Sequence, residues 1–144
     1  MVRSSTTFEA NQELLRALAE SLTAELARLA AEHDGDVLVS LRQRVHALHA
    51  GLTRHFEREH EHWSHLRSDD PGVQRWIKLQ SDQHAELDAL LHTFDESLGQ
   101  CADPASAPCA EWASTARAIR ELTLHQLSEE RLFQRSVLDE SYAD

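Results

Sequence analysis

Two segments of the chain place a histidine four residues before a glutamate, a spacing that lets both side chains reach one metal ion. The first runs from His55 to Glu59 and the second from His125 to Glu129. Residues four apart in a helix project from the same face, so each segment offers an imidazole and a carboxylate together. His84 is a further imidazole donor between them. Such donors bind iron, zinc or manganese, and carboxylates can bridge two metal ions.

Composition and the positions of helix-breaking residues predict that these residues lie on helices. The 144 residues include 4 Gly and 3 Pro, and Ala, Leu, Glu and Arg recur throughout. Breaks at 34–36, 68–72 and 99–108 separate four helical segments, with Gly35 and Asp36 expected to cap the first two helices. We expect helices over about residues 7–33, 37–67, 72–98 and 109–141, forming one domain over residues 1–144.

Each segment carries an apolar seam at spacings of three and four residues, which is typical of helices that share a core. Short connections make sequential helices antiparallel neighbours. The expected fold is therefore all-α, an antiparallel up-down-up-down four-helix bundle. The seams are interrupted by Asn11, His55, Glu59, His62, Gln80, His84, His125 and Glu129.

The polar interruptions are expected to meet at one level of this bundle. Turns near residues 34, 70 and 104 place most of them at similar heights, since the axial rise is about 1.5 Å per residue. Isolated polar groups in a core cost free energy unless they are satisfied. The sequence therefore predicts a core metal site with His55, Glu59, His84, His125 and Glu129 as ligands. His62, about 10 Å of helix rise from His55, is a candidate ligand, gate or supporting residue.

Charge and hydropathy exclude several classes of partner. The formal net charge is −11, whereas nucleic-acid and anionic-membrane binders are usually basic. No apolar stretch approaches the roughly 20 residues that cross a bilayer, and the first residues do not resemble a signal peptide. We therefore expect a cytoplasmic protein with neither nucleic acid nor membrane as partner. Cys101 and Cys109 share one predicted loop, where a redox pair or functionless thiols are both open readings.

Three elements together resemble the hemerythrin-like family, whose HHE motif occurs in bacterial cytoplasmic proteins. The run from His55 to Glu59 is similar to its helix-two HFxxE element, and His84 to its helix-three histidine. The run 125–133, which includes Glu130, is similar to its helix-four HxxxEExxLF element. The resemblance covers essentially the whole chain, in the family's order and spacing.

Two positions depart from the family pattern. Asn11 stands where the family usually has a helix-one histidine, and Asp88 stands where many members have a second helix-three histidine. Both side chains could still coordinate through oxygen, and Glu130 is a further candidate as ligand or supporting residue. Missing imidazoles would leave an open coordination position, which favours chemistry on a bound small molecule over reversible oxygen carriage.

The resemblance implies a non-haem iron centre that binds or reduces dioxygen, peroxide or nitric oxide. It implies two irons per chain, bridged by Glu59 and Glu129, with His55, His84 and His125 as terminal ligands. One iron or another divalent metal remains open, as do the catalytic residues and the oligomeric state. Such a centre could belong to a diiron oxidoreductase or to a protein that only binds the ligand.

Three other readings stay open. One is an iron- or redox-responsive regulatory module whose fold and partner binding depend on metal occupancy. A second is a ferritin-like diiron oxidase, which needs Glu-x-x-His on two helices; Glu59 and His62 supply that spacing once, but Glu121 and His125 do not. The third is an interaction bundle without metal.

Overall fold

Four long α-helices make up most of the chain in a computed structural model. It describes the backbone of residues 2–65 and 69–142 and the side chains of residues 10–65 and 69–133. The helices are α1 (Val2–Glu32), α2 (Gly35–Ser64), α3 (Pro71–Gln100) and α4 (Cys109–Tyr142), with one turn of 3-10 helix at Pro104–Ser106. Because these described stretches contain no strand, the predicted all-α fold is confirmed.

The helix boundaries follow the predicted breaks, with local differences. α1 begins at Val2, earlier than predicted, and α2 ends at Ser64. His65 is the C-cap of α2, and the last two residues of the predicted helix, Leu66 and Arg67, lie outside the described residues.

Aspartates cap α2 and α3. The Asp34 side chain accepts a hydrogen bond from the Asp36 amide at 2.9 Å, so Asp34 is the N-cap of α2 instead of Asp36. His33, with φ 50°, takes a left-handed conformation at the end of α1, whereas Gly35, the predicted cap, is the first residue of α2. Asp70 accepts from the Gly72 amide at 2.8 Å and caps α3. In each case a carboxylate satisfies an amide at the helix start that has no partner within the helix.

The helices surround a core of leucines. α1 packs on α2 and α4, and α3 also packs on α2 and α4, so every helix contributes to the interior. Leu22, Leu48, Leu91 and Ile119 represent the four helices in this core and are all 0% exposed. No helix in the described part of the chain is both long and apolar enough to cross a bilayer.

A glycine lets α1 and α2 approach closely just before the predicted site. A Cβ at Gly51 would lie 2.8 Å from Leu15 Cδ2, closer than side chains tolerate. Gly51 is one helical turn before His55, so the close approach lies next to the metal-ligand candidates of α2.

One buried carboxylate of the core has ordinary cationic partners. Glu25 is 5% exposed, and its oxygens lie 3.0 Å from Arg28 Nη1 and 3.9 Å from Arg44 Nε. Burial raises the pKa of the Glu25 carboxyl, but hydrogen bonds from Ser40 and Arg28 and the charge of Arg44 outweigh it and lower the pKa. Glu25 shows how this bundle stabilises a buried acid when arginines are within reach.

The two cysteines, Cys101 and Cys109, are both free thiols and half-buried.

Candidate metal centre

Four side chains from three helices converge in the interior of the bundle, beside the core of leucines. His55 and Glu59 lie one turn apart on α2, His84 lies on α3 and Glu130 on α4. Their exposed fractions are 3%, 6%, 5% and 2%, respectively. Charged and polar groups this deeply buried require partners, because removing them from water costs several kcal/mol.

The imidazole of His55 lies between two carboxylates. Its Nε2 atom is 2.6 Å from Glu130 Oε2 and 2.7 Å from Glu59 Oε1. One N–H group cannot point at both oxygens, and it donates a hydrogen bond to Glu130. The contact with Glu59 is therefore an ion pair, and neither Glu59 oxygen has a hydrogen bond of ordinary geometry from any described residue.

His84 points its own Nε2 at the same carboxylates. This atom is 3.4 Å from Glu130 Oε1 and 3.9 Å from Glu59 Oε2. Within the described part of the chain, neither His84 Nε2 nor Glu130 Oε1 has a hydrogen-bond partner. Unlike Glu25, Glu59 and Glu130 have no arginine or lysine among the described residues paired with them; their ion pairs are all with histidines.

The spacing of these atoms suits a metal ion after a small adjustment. Donor atoms at about 2.0–2.2 Å from a metal ion lie about 3 Å or slightly more from one another. One donor atom each from His55, Glu59 and Glu130 lies within 4.8 Å of the other two. The contacts of His55 with the two glutamates are a few tenths of an ångström shorter than this ideal, and those of His84 are slightly longer. His55, Glu59 and Glu130 therefore offer three donor atoms that could hold a metal ion, and His84 Nε2 lies beside them.

Mutual proximity determines how these groups hold protons. Burial lowers the pKa of His55, but the hydrogen bond to Glu130 and the negative charges of Glu130 and Glu59 outweigh it and raise the pKa to about 10. Burial and the adjacent Glu130 raise the pKa of Glu59. Burial also raises the pKa of Glu130, but the adjacent Glu59, the hydrogen bond from His55 and the nearby His84 lower it further than burial raises it. In the metal-free group these shifts favour a protonated His55 and a protonated Glu59 beside an ionised Glu130.

Aromatic rings surround His84. The Phe56 ring stacks on it with a centroid separation of 3.6 Å and an interplanar angle of 8°. Trp63 is also nearly parallel to it, at 5.7 Å and 19°. On the solvent side, His60 Nε2 lies 3.2 Å from His84 Nδ1 in a hydrogen bond. Burial lowers the pKa of His60, and the nearby His84 lowers it further.

The inward face of α4 differs from the sequence-based prediction by one residue. His125 is exposed and Glu129 is half-buried, so both lie outside the converging group. Gln126 and Glu130 take the inward positions, at 0% and 2% exposure. Adjacent residues differ by about 100° around a helix, which is enough to turn a side chain from core to surface.

The remaining candidates also lie outside the group. Asn11 is half-buried while its neighbour Gln12 is 0% exposed. His62 is exposed, and Asp88 is an exposed residue paired with His49 at 2.6 Å. The structure therefore brings together His55, Glu59, His84 and Glu130 from the full set of sequence candidates.

Three buried glutamines accompany the group. Gln12 and Gln126 are 0% exposed and Gln80 is 1% exposed. Gln12 Nε2 donates to the Leu127 carbonyl at 3.2 Å, and Gln126 Nε2 donates to Gln83 Oε1. The side-chain oxygens of all three have no hydrogen-bond partner among the described residues. Gln80 interrupts the apolar seam and was visible in the sequence, whereas Gln126 could have been found from its four-residue spacing to Glu130.

No protein-family model, curated protein or solved structure matches this chain.

Proposed function

We propose that the chain is a non-haem iron protein that holds iron in the core of its bundle through His55, Glu59, His84 and Glu130. The observation that carries the proposal is the meeting of two buried glutamates with no arginine or lysine partner among the described residues. A protein stabilises such a pair with a proton or with a cation. Two imidazole nitrogens at the same place favour a metal ion, because imidazole is a common metal ligand.

The donor types support iron as the metal. Mixed imidazole and carboxylate sets suit iron, zinc and manganese, and sites with few protein ligands and open positions are typical of non-haem iron. The likeness of the His55–Glu59 segment and His84 to the hemerythrin-like elements also favours iron. We propose one iron per chain instead of the two that the resemblance implies, because His125 and Glu129 lie outside the group.

We further propose that the helices run antiparallel in an up-down-up-down order and that the bundle is a variant of the hemerythrin-like arrangement. Contacts between α2 and α3 support this: Arg42 pairs with Asp95, His49 with Asp88 and, further along, His60 with His84. Numbers rise along α2 as they fall along α3. In the variant, α4 presents Gln126 and Glu130 in place of a histidine and a glutamate four residues apart.

A small ligand such as dioxygen, peroxide or nitric oxide is the proposed partner of the centre. Four side chains that each supply one atom would leave open positions on a six-coordinate iron, where such a ligand binds. The residues of this chain contribute a dry, shaped surrounding, with Leu15, Leu52 and Leu87 at most 1% exposed. The buried glutamine amides are hydrogen-bonding groups within the same core.

Replacing Glu130 by glutamine tests the proposal against its immediate neighbour. Glu130→Gln keeps the side-chain shape but removes a charged donor, and we expect bound iron to fall from about one per chain to a small fraction. Glu129→Gln is the matched control, and we expect full iron content from it. Metal analysis after anaerobic reconstitution measures both. Loss of iron in Glu129→Gln with retention in Glu130→Gln would contradict the proposed ligand set.

Metal binding is expected to release protons at neutral pH. Because the pKa of His55 is raised to about 10 and that of Glu59 is also raised, a divalent ion must displace a proton from each. We expect release of about two protons per ion at pH 7 and an affinity that rises with pH until both groups are deprotonated. Titration calorimetry in buffers of different ionisation enthalpy measures this number. Binding without proton release would contradict the assignment.

A further inference from the structure

The orientation of His84 depends on contacts that its aromatic neighbours cannot supply. Stacking on Phe56, at 3.6 Å and 8°, fixes the plane of the imidazole. A rotation of the ring by half a turn about the Cβ–Cγ bond returns it to the same plane and preserves the stacking, but it exchanges the positions of nitrogen and carbon atoms. Stacking is also indifferent to which ring nitrogen carries the proton. A hydrogen bond is needed to select both the flip state and the tautomer.

His60 is placed to make that selection. Its Nε2 atom lies 3.2 Å from His84 Nδ1, and the two rings meet at an angle of 71°. His60 itself is held against Trp63, with ring centroids 5.0 Å apart. With Nδ1 directed at His60, Nε2 of His84 faces the glutamates, 3.4 Å from Glu130 Oε1. For Nε2 to offer a lone pair to a metal ion, the proton of neutral His84 must be on Nδ1 and donated to His60.

We propose that His60 is a positioning residue that fixes the flip state of the His84 ring, with Nδ1 held at His60 and Nε2 directed into the metal centre. This inference rests on the proposed function only for its consequence on metal affinity, since the ring orientation is a property of the metal-free protein. Groups that orient a metal-ligating histidine in this way typically change metal affinity 10- to 100-fold when removed. His60 is exposed, so it can be replaced without creating a cavity in the core.

Two substitutions separate the hydrogen bond of His60 from its ring contacts. His60→Phe keeps an aromatic ring beside Trp63 but cannot accept a hydrogen bond. His60→Gln loses the ring but can accept through its amide oxygen. We expect His60→Phe to release the ring orientation of His84 and to weaken metal binding about 10- to 100-fold, and His60→Gln to preserve both in large part. His62→Phe, at an exposed position two residues away, is the matched control.

The ring orientation is measured on metal-free protein from nuclear Overhauser contacts of the His84 Hδ2 and Hε1 protons with neighbouring side chains; the His84 signals are identified by their loss in His84→Gln. Metal dissociation constants are measured on the same variants. An unchanged His84 ring orientation in His60→Phe would overturn the inference, as would equal effects of His60→Phe and His60→Gln. If the unmodified protein binds no metal, the proposed function fails, while the measurement of ring orientation still decides the role of His60.

Discussion

Replacing His55 by alanine is expected to lower both metal affinity and stability, because this imidazole separates two buried carboxylates. His55 Nε2 lies within 2.7 Å of an oxygen of Glu59 and of Glu130. Removing a ligand should cost more than the 10- to 100-fold that loss of a merely supporting group costs, so we expect affinity to fall by more than about 100-fold. In the metal-free protein at pH 7, His55→Ala also leaves buried charge uncompensated, which costs about 3–5 kcal/mol.

The matched control is His125→Ala, which alters the other histidine that precedes a glutamate by four residues. His125 is exposed, so its removal should change the unfolding free energy by less than about 0.5 kcal/mol and leave metal content unchanged. Metal titration and urea unfolding measure the two effects. If His125→Ala lost metal while His55→Ala retained it, the site would have to be sought on the outer face of α4.

Metal loading is the second large effect. A ligand that binds only the folded protein stabilises it by about 2.7 kcal/mol when its concentration is 100 times the dissociation constant. For a chain of this size we expect the Tm to rise by about 5–11 °C on loading with ferrous iron under anaerobic conditions. The rise follows because Glu59 and Glu130, which lie on different helices, come together to bind a cation only in the folded chain. Thermal unfolding followed by circular dichroism measures it.

The Glu130→Gln variant should show little or no increase in Tm with the same iron concentration. An equal rise in this variant and in the unmodified protein would mean that iron acts elsewhere on the chain. The size of the Tm shift also tests a regulatory role, since a module controlled by iron must change its stability or shape when iron is lost.

The helices and three of the four converging side chains, His55, Glu59 and His84, could be predicted from the sequence. A long run of apolar residues at spacings of three and four precedes His55 in α2 and defines the inward face of that helix. These residues, each at most 1% exposed, are Leu41, Val45, Leu48 and Leu52. The same reasoning predicts the inward face of α3, where His84 precedes Leu87 and Leu91 on one buried face.

The inward face of α4 could not be chosen by the same argument. Its buried residues include Thr123 and Gln126, which read as surface residues, while Leu132 is 60% exposed. The motif-like spacing of His125 and Glu129 therefore favoured a face one residue away from the buried one. At the start of α1, Asn11 and Gln12 are equally polar, and only packing against α4 distinguishes them, through the bond from Gln12 to the Leu127 carbonyl.

The contact between α1 and α2 at Gly51 affects the positions of His55 and Glu59, the metal-ligand candidates that follow on α2. Leu15 Cδ2 occupies the space that a side chain at residue 51 would take, one helical turn before His55. A methyl group at that position would have to displace Leu15 or move α1 away from α2, and the second outcome would shift the α2 donors relative to those of α3 and α4. The geometry of the metal centre thus depends on residue 51, which contributes no donor.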